Sequence, residues 1–302
     1  MSDVPVWLDL NQAELDAAYD QLKYAPNQAQ ILKRYASNSD ALRLRFGAPQ
    51  RLVYGAAAVE GADLYRANKA LAGGAPINIF IHGGAWRSGF AKDYGFLAEL
   101  FVNAGAHFVV PDFSWVQDTY TDTDTGASLE PMVDQLRRAV VWVHQHAASF
   151  GGDPEQIYIS GHSSGGHLAA VLLATDWKAQ CGLPADLLKG GLCCSGIYEL
   201  KPVALSARNV YLKLTAAMEE ALSPQRQSAN IRAPLLVVYG SLETPEFQRQ
   251  ALDFASALKE SGKEVALTRA DAYNHFEILE TLASPYGVLG RAVLMQMKLT
   301  ID

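Results

Sequence analysis

The chain has 302 residues, 49% of them apolar and 19% charged, and a net charge of −7. This is long enough, and apolar enough, to bury the core of one large α/β fold. The acidic balance, with no Lys/Arg run and no basic helix face, excludes nucleic acid as a partner. Cys181, Cys193 and Cys194 are an odd count with two adjacent, which does not make a disulfide framework. The pair fits a buried strand, where free cysteine acts as a small apolar residue. The start, MSDVPVWLDLNQAELD, lacks the basic end and apolar run of a secretion signal. No apolar run reaches the roughly 18 residues of a membrane span, so the expectation is a cytoplasmic protein with no membrane partner.

Residues 1–50 read as a peripheral helical extension, where Asn11 and Glu14 have the spacing of a capping box. Residues 50–66 alternate loosely, as in a pair of strands, and Gly73-Gly74 marks a turn. From residue 77 short apolar runs at 77–81, 106–110, 157–160, 191–195, 235–239 and 265–268 alternate with helix-like stretches at 94–104, 129–148, 164–174 and 247–261. Runs of this kind suit strands buried on both faces, and strand–helix alternation implies a mostly parallel sheet flanked by helices. Residues 201–222 interrupt the rhythm as a helical insertion, and without repeats or a linker the whole of 1–302 reads as one domain. The stretch DTYTDTDTG at 118–126 hints at a calcium loop through Asp122 and Asp124. Gly126 occupies the third ligand position and Val133 stands where glutamate is needed, so it reads as a solvated loop.

Chemistry concentrates at IYISGHSSGGHL, residues 157–168, where Gly161-His162-Ser163-Ser164-Gly165 matches Gly-x-Ser-x-Gly between an apolar strand and a helix. A nucleophilic serine in a sharp strand-to-helix turn needs small residues two positions either side, and the helix N-terminus favours the negative charge it develops. Ser164 fits less well, because His162 then occupies a glycine position. Upstream, strand 77–81 runs into His82-Gly83-Gly84-Ala85-Trp86. Adjacent glycines free backbone N–H donors for an oxyanion hole, with the N–H of Ser164 as partner donor. His275 follows the last predicted strand and is the only histidine after residue 167. It fits the fold's chain order of serine, acid, histidine. His82 and His162 belong to the two motifs and brace them. No histidine pair has metal-ligand spacing, so neither metal nor cofactor is expected. The acid should follow strand 235–239, where Glu243 and Glu246 both qualify on chemistry alone.

These motifs resemble the kynurenine formamidase (arylformamidase) branch of the α/β-hydrolase superfamily. The similar stretches are HGGAWRSG at 82–89, LEPMVDQLRRAV at 129–140, GHSSGGHL at 161–168, CSGIYEL at 194–200, TPEFQRQ at 244–250 and NHFEILETLA at 274–283. The resemblance implies Ser163 as nucleophile, His275 as base and Gly83, Gly84 and Ser164 as oxyanion positions. It puts the acid at Glu243, where vertebrate members carry aspartate. Spacing agrees, since Glu243 lies nearer the strand's end, where sites in parallel sheets gather. Glu246 follows Pro245 into a helix start, where a carboxylate complements the helix dipole. Asp271, a rival acid, is explained as a turn former. Trp86 and Trp115 are candidates to present aryl surface to a substrate. The expected function is a serine hydrolase that cleaves a small aryl formamide or amide through an acyl-enzyme. The alternative is a carboxylesterase on small aryl or acyl esters. A binding protein on a hydrolase scaffold is disfavoured because each role is filled.

Overall fold

The apolar runs pair into one eight-stranded sheet among the described residues of the computed structural model, which are 4–69, 73–116 and 128–300. The strands are β1 (Gln50–Val53), β2 (Gly61–Tyr65), β3 (Ala75–Ile81), β4 (His107–Pro111), β5 (Gly152–His162), β6 (Leu188–Cys194), β7 (Leu235–Gly240) and β8 (Val265–Ala270). Their order is β1-β2-β4-β3-β5-β6-β7-β8. β1 and β2 are antiparallel to their neighbours, and all pairings from β4 to β8 are parallel. The loosely alternating stretch at 50–66 is thus the antiparallel edge.

Burial on both faces explains the apolar runs. In β3, Ile77, Ile79 and Ile81 face one core layer while Phe80 faces the other. β8, at the far edge, alternates partly buried and exposed residues and so carries the weaker apolar signal. The helices are α1 (Gln12–Ala18), α2 (Gln28–Phe46), α3 (Ala98–Asn103), α4 (Leu129–His146), α5 (Ser164–Leu173), α6 (Trp177–Cys181), α7 (Lys201–Leu205), α8 (Asn209–Leu212), α9 (Ala216–Leu222), α10 (Pro245–Glu260), α11 (Glu277–Glu280) and α12 (Val288–Gln296). α1 opens on the expected capping box: Asn11 Oδ1 accepts the Glu14 N–H at 3.1 Å and Glu14 Oε2 accepts the Asn11 N–H at 2.9 Å. α7, α8 and α9 occupy the interruption at 201–222. None of the helices described is long and apolar enough to cross a membrane.

Three elements differ from expectation. The stretch 94–104 is not one helix but a 3-10 turn, Gly95–Leu97, that leads into α3, with a further 3-10 turn, Ala91–Asp93, just before it. Gly95 lies against Tyr65, so close that a Cβ there would sit 2.3 Å from the phenol oxygen, and glycine is a weak helix former. β5 extends the run 157–160 at both ends because Gly152 still pairs with Ala75 and His162 with Cys194. α12 was not anticipated; Leu289, Val293 and Leu294 bury one side of it in the second core layer. The Asp/Thr-rich stretch 118–126 lies outside the described residues.

Candidate active site

Ser163 sits between β5 and α5 with φ 58° and ψ −127°, a conformation costly for a residue with a Cβ. The flanking glycines are steric requirements. A Cβ at Gly161 would come 2.1 Å from the carbonyl oxygen of Gly165, and one at Gly165 would come 2.0 Å from that of Ile81. The turn is pinned by the Ser163 N–H, which donates to the Cys194 carbonyl at 2.9 Å. Ser164 opens α5.

The Ser163 hydroxyl meets His275 Nε2 at 2.8 Å. The other ring nitrogen, Nδ1, donates to Glu243 Oε2 at 2.9 Å. Phe247 and Phe276 pack edge-on against the imidazole at centroid distances of 4.8 and 5.0 Å and limit its rotation. Glu243 is buried, and its second oxygen, Oε1, accepts the Gly240 N–H and the Ser195 hydroxyl, each at 2.6 Å. Glu246, three residues on, turns away into α10. Its Oε1 accepts the Tyr19 hydroxyl at 3.1 Å and pairs with Arg249 at 2.7 Å. Asp271 is an exposed partner of Arg269. The geometry therefore brings Ser163, His275 and Glu243 together and leaves both rival acids elsewhere.

The neighbouring histidines are braces. His162 Nε2 lies 2.6 Å from the His275 carbonyl oxygen, and since a carbonyl can only accept, that nitrogen carries the proton. Burial lowers the His162 pKa to about 3, aided by the nearby His275, so the ring stays neutral. His167 accepts the Trp86 indole N–H on Nδ1 at 3.1 Å and donates from Nε2 to the Leu222 carbonyl at 2.8 Å, and burial lowers it to about 4. His82 stacks between Phe113 and Tyr94 and donates from Nδ1 to the Gly83 carbonyl at 2.9 Å.

Gly83 and Gly84 follow β3 beside the serine. A Cβ at Gly83 would lie 3.1 Å from that of Ser163. Gly84, at φ 132°, has no room for a side chain, because its Cβ would come 1.9 Å from the Ser88 carbonyl oxygen. Among the described residues, the N–H groups of Gly83, Gly84 and Ser164 are donated to no acceptor. Three unspent donors thus surround the serine.

Ser163 and His275 open into a cavity of about 550 Å³. Gly83, Gly84 and His162 line its floor, while Tyr19, Leu32 and Tyr35 from the N-terminal segment form a wall. The N-terminal segment carries the helices α1 and α2, as its pattern implies, but part of it faces the site. Trp86 and Trp115 are not among the lining residues, which corrects the expectation of aryl contact. Trp86 takes φ 60° after the glycine turn, which directs its indole inward, and it is 1% exposed. The Trp115 indole N–H donates to the Gly89 carbonyl at 3.1 Å. Aromatic surface at the cavity comes from Tyr19, Tyr35, Tyr94 and Phe276 instead. Arg87 and Arg208 also reach the cavity, each stacked on a tyrosine, Tyr211 at 4.6 Å and Tyr19 at 5.5 Å respectively. Cys193 and Cys194 are buried, which pushes their thiols up and favours the neutral form. No group of three or more His, Cys, Asp or Glu is placed to hold a metal ion among the described residues.

The family profile BD-FAE matches residues 62–183, which carry both the glycine turn and the elbow. A zebrafish (Danio rerio) kynurenine formamidase is 29% identical over 97% of this chain and 98% of its own length. The chain is a hydrolase with an α/β-hydrolase fold, similar to kynurenine formamidase along nearly its whole length. Esterase LipQ of Mycobacterium tuberculosis is 25% identical over 70% of the hydrolase and 52% of its own length. The carboxylesterase EstE1, from a metagenomic library, shares the fold with a TM-score of 0.68 and 19% identity, covering 91% of the hydrolase and 95% of EstE1. The sequence did not indicate that His162 holds the His275 backbone or that Ser195 reaches the acid. Their only signal is position, one beside the elbow serine and one at a strand's C-terminal end.

Proposed function

We propose that the enzyme hydrolyses small aryl formamides of the N-formylkynurenine type through an acyl-enzyme, with Ser163 as nucleophile, His275 as general base and Glu243 as the acid that orients it. One observation carries this reading: an unbroken hydrogen-bonded series from buried Glu243 through His275 to a strained serine that faces a cavity. The Ser163 proton passes to His275 Nε2 as Oγ bonds to the substrate carbonyl carbon. The carbonyl oxygen becomes an oxyanion, held by the N–H groups of Gly83, Gly84 and Ser164. The intermediate collapses, the C–N bond breaks, and the amine leaves with the proton from Nε2. Water then attacks the formyl ester, gives a proton to Nε2, and the C–Oγ bond breaks. The Nε2 proton returns to Oγ, and formic acid leaves and ionises to formate by releasing its proton to solvent. Glu243 holds Nδ1–H and stabilises the imidazolium without taking a proton itself.

Kynurenine formamidases, matched along nearly the whole chain, support the formamide. Esterase relatives support a second reading, a carboxylesterase on small aryl or acyl esters. The cavity volume favours small substrates under either reading. Specificity constants for N-formylkynurenine, formanilides and aryl esters of increasing acyl length decide between the readings. Formamides should lead, with acetyl esters next. A preference for the longest acyl chains would overturn the formamidase reading.

A further inference from the structure

Ser195 stands one residue beyond β6, inside the molecule, with φ 52° and no exposed surface. Its N–H donates to the Val238 carbonyl at 2.8 Å, which extends the β6–β7 ladder by one rung and fixes the backbone. That backbone conformation is unfavourable for any residue with a Cβ, and glycine would adopt it freely. A serine at such a position needs a reason, and its hydroxyl supplies one. Oγ donates to Glu243 Oε1 at 2.6 Å, opposite the oxygen that receives the His275 proton donor at 2.9 Å. The remaining donor to Oε1 is the Gly240 N–H. Glutamate has one more rotatable bond than aspartate, so its carboxylate plane has more freedom to lose. Two donors on one oxygen remove it, and the free oxygen is left aimed at Nδ1.

We propose that Ser195 is a positioning residue, whose hydroxyl fixes the Glu243 carboxylate so that its other oxygen orients His275. The proposal rests on the reading of Ser163, His275 and Glu243 as a working triad. Ser195 is not among the residues lining the cavity and acts only through the acid. The strain is retained because the hydroxyl is required.

Steady-state kinetics on Ser195→Ala and Ser195→Gly test this, each alone and combined with Glu243→Gln, with one aryl formamide and one aryl acetate. Single variants should lose roughly ten- to a hundredfold in kcat, the scale of one buried hydrogen bond to a charged group, with KM within about twofold. In the Glu243→Gln background the same substitutions should cost less than about threefold, because the group they act through is gone. Ser195→Cys, with a weaker donor of similar size, should fall between wild type and alanine. The glycine variant relieves the backbone, so it decides the question if the alanine variant folds poorly. Near-normal kcat in both single variants, or an equal loss with and without Glu243, would overturn the proposal. Ser163→Ala assayed alongside separates the two failures: its activity would remove the triad itself, whereas its inactivity beside an active Ser195→Ala removes only the positioning role.

Discussion

Two charged clusters sit on the same sheet and have opposite fates. At the antiparallel edge, Arg51 on β1 pairs with Asp63 on β2 at 2.8 Å and with Asp112, just past β4, at 2.6 Å. Asp112 also accepts the Ala91 N–H at 2.6 Å, and its carbonyl accepts the Tyr54 hydroxyl. Every group there spends its bonds on a neighbour. The cluster at the C-terminal ends of β5 and β7 is more deeply buried and as fully bonded, but beyond its bond to His275 the Ser163 oxygen opens on a cavity. Buried charge therefore does not mark a site in this molecule. A series with one reactive end does, because its polarisation can be passed to a substrate.

The strongest way to break this contrast is to remove the open end. Ser163→Ala should lose on the order of 10⁶ in kcat, as complete triads do, while Ser164→Ala, which keeps the backbone donor, should stay within about tenfold. Active-site labelling by a fluorophosphonate and ester turnover both read this. At the other end of the series, Glu243→Gln should cost about 10³ or more in turnover. Glu246→Gln, which loosens Tyr19 and Arg249, should leave turnover within a few-fold and lower stability by about 1–3 kcal/mol in urea unfolding. If the two glutamates exchanged these phenotypes, the acid would be misassigned while nucleophile and base stood.

Acid sharpens the contrast further. The folded-state pKa values of His162 and His167, about 3 and about 4, lie below the ordinary histidine value of 6.5 because both rings are buried. The unfolded chain therefore binds more protons between these limits, and stability rises with pH across that window. It is fully present above about pH 6.5 and declines as pH falls toward 4, by up to about 2–3 kcal/mol per histidine. Unfolding midpoints between pH 7 and 4.5 measure it, and a flat profile would contradict neutral braces at the elbow. The smallest effect belongs to the closed cluster. Arg51→Ala leaves two partly buried carboxylates without their cation, and the half-exposed arginine limits the loss to about 1–3 kcal/mol. kcat per folded molecule should not change.

The central strands were legible because burial on both faces keeps β3 and β6 apolar apart from Asn78, which accepts the Ser160 hydroxyl, and Lys189 near the start of β6. The elbow was legible for a steric reason: two glycines without which the chain would overlap itself. His275 emerged by elimination. Glu243 and Glu246 were inseparable by residue type, and the fold separates them because Pro245 starts α10 and commits Glu246 to its first turn. Trp86 misled because its orientation depends on a positive φ, which no local pattern reports. Ser195 was read as the end of a strand, since its bond to Glu243 spans 48 residues and leaves no trace in composition. The tyrosines that line the cavity from the N-terminal segment were hidden in the same way.

That wall has a consequence for how such an enzyme can change. The triad proposed here comes from residues 163, 243 and 275, while Tyr19, Leu32 and Tyr35, which line the cavity beside it, lie more than a hundred positions before the first of them. Mutation can therefore reshape the guest's side of the chamber without disturbing the chemistry. A lineage could exchange one leaving group for another by rewriting a short opening stretch and inheriting its catalyst intact.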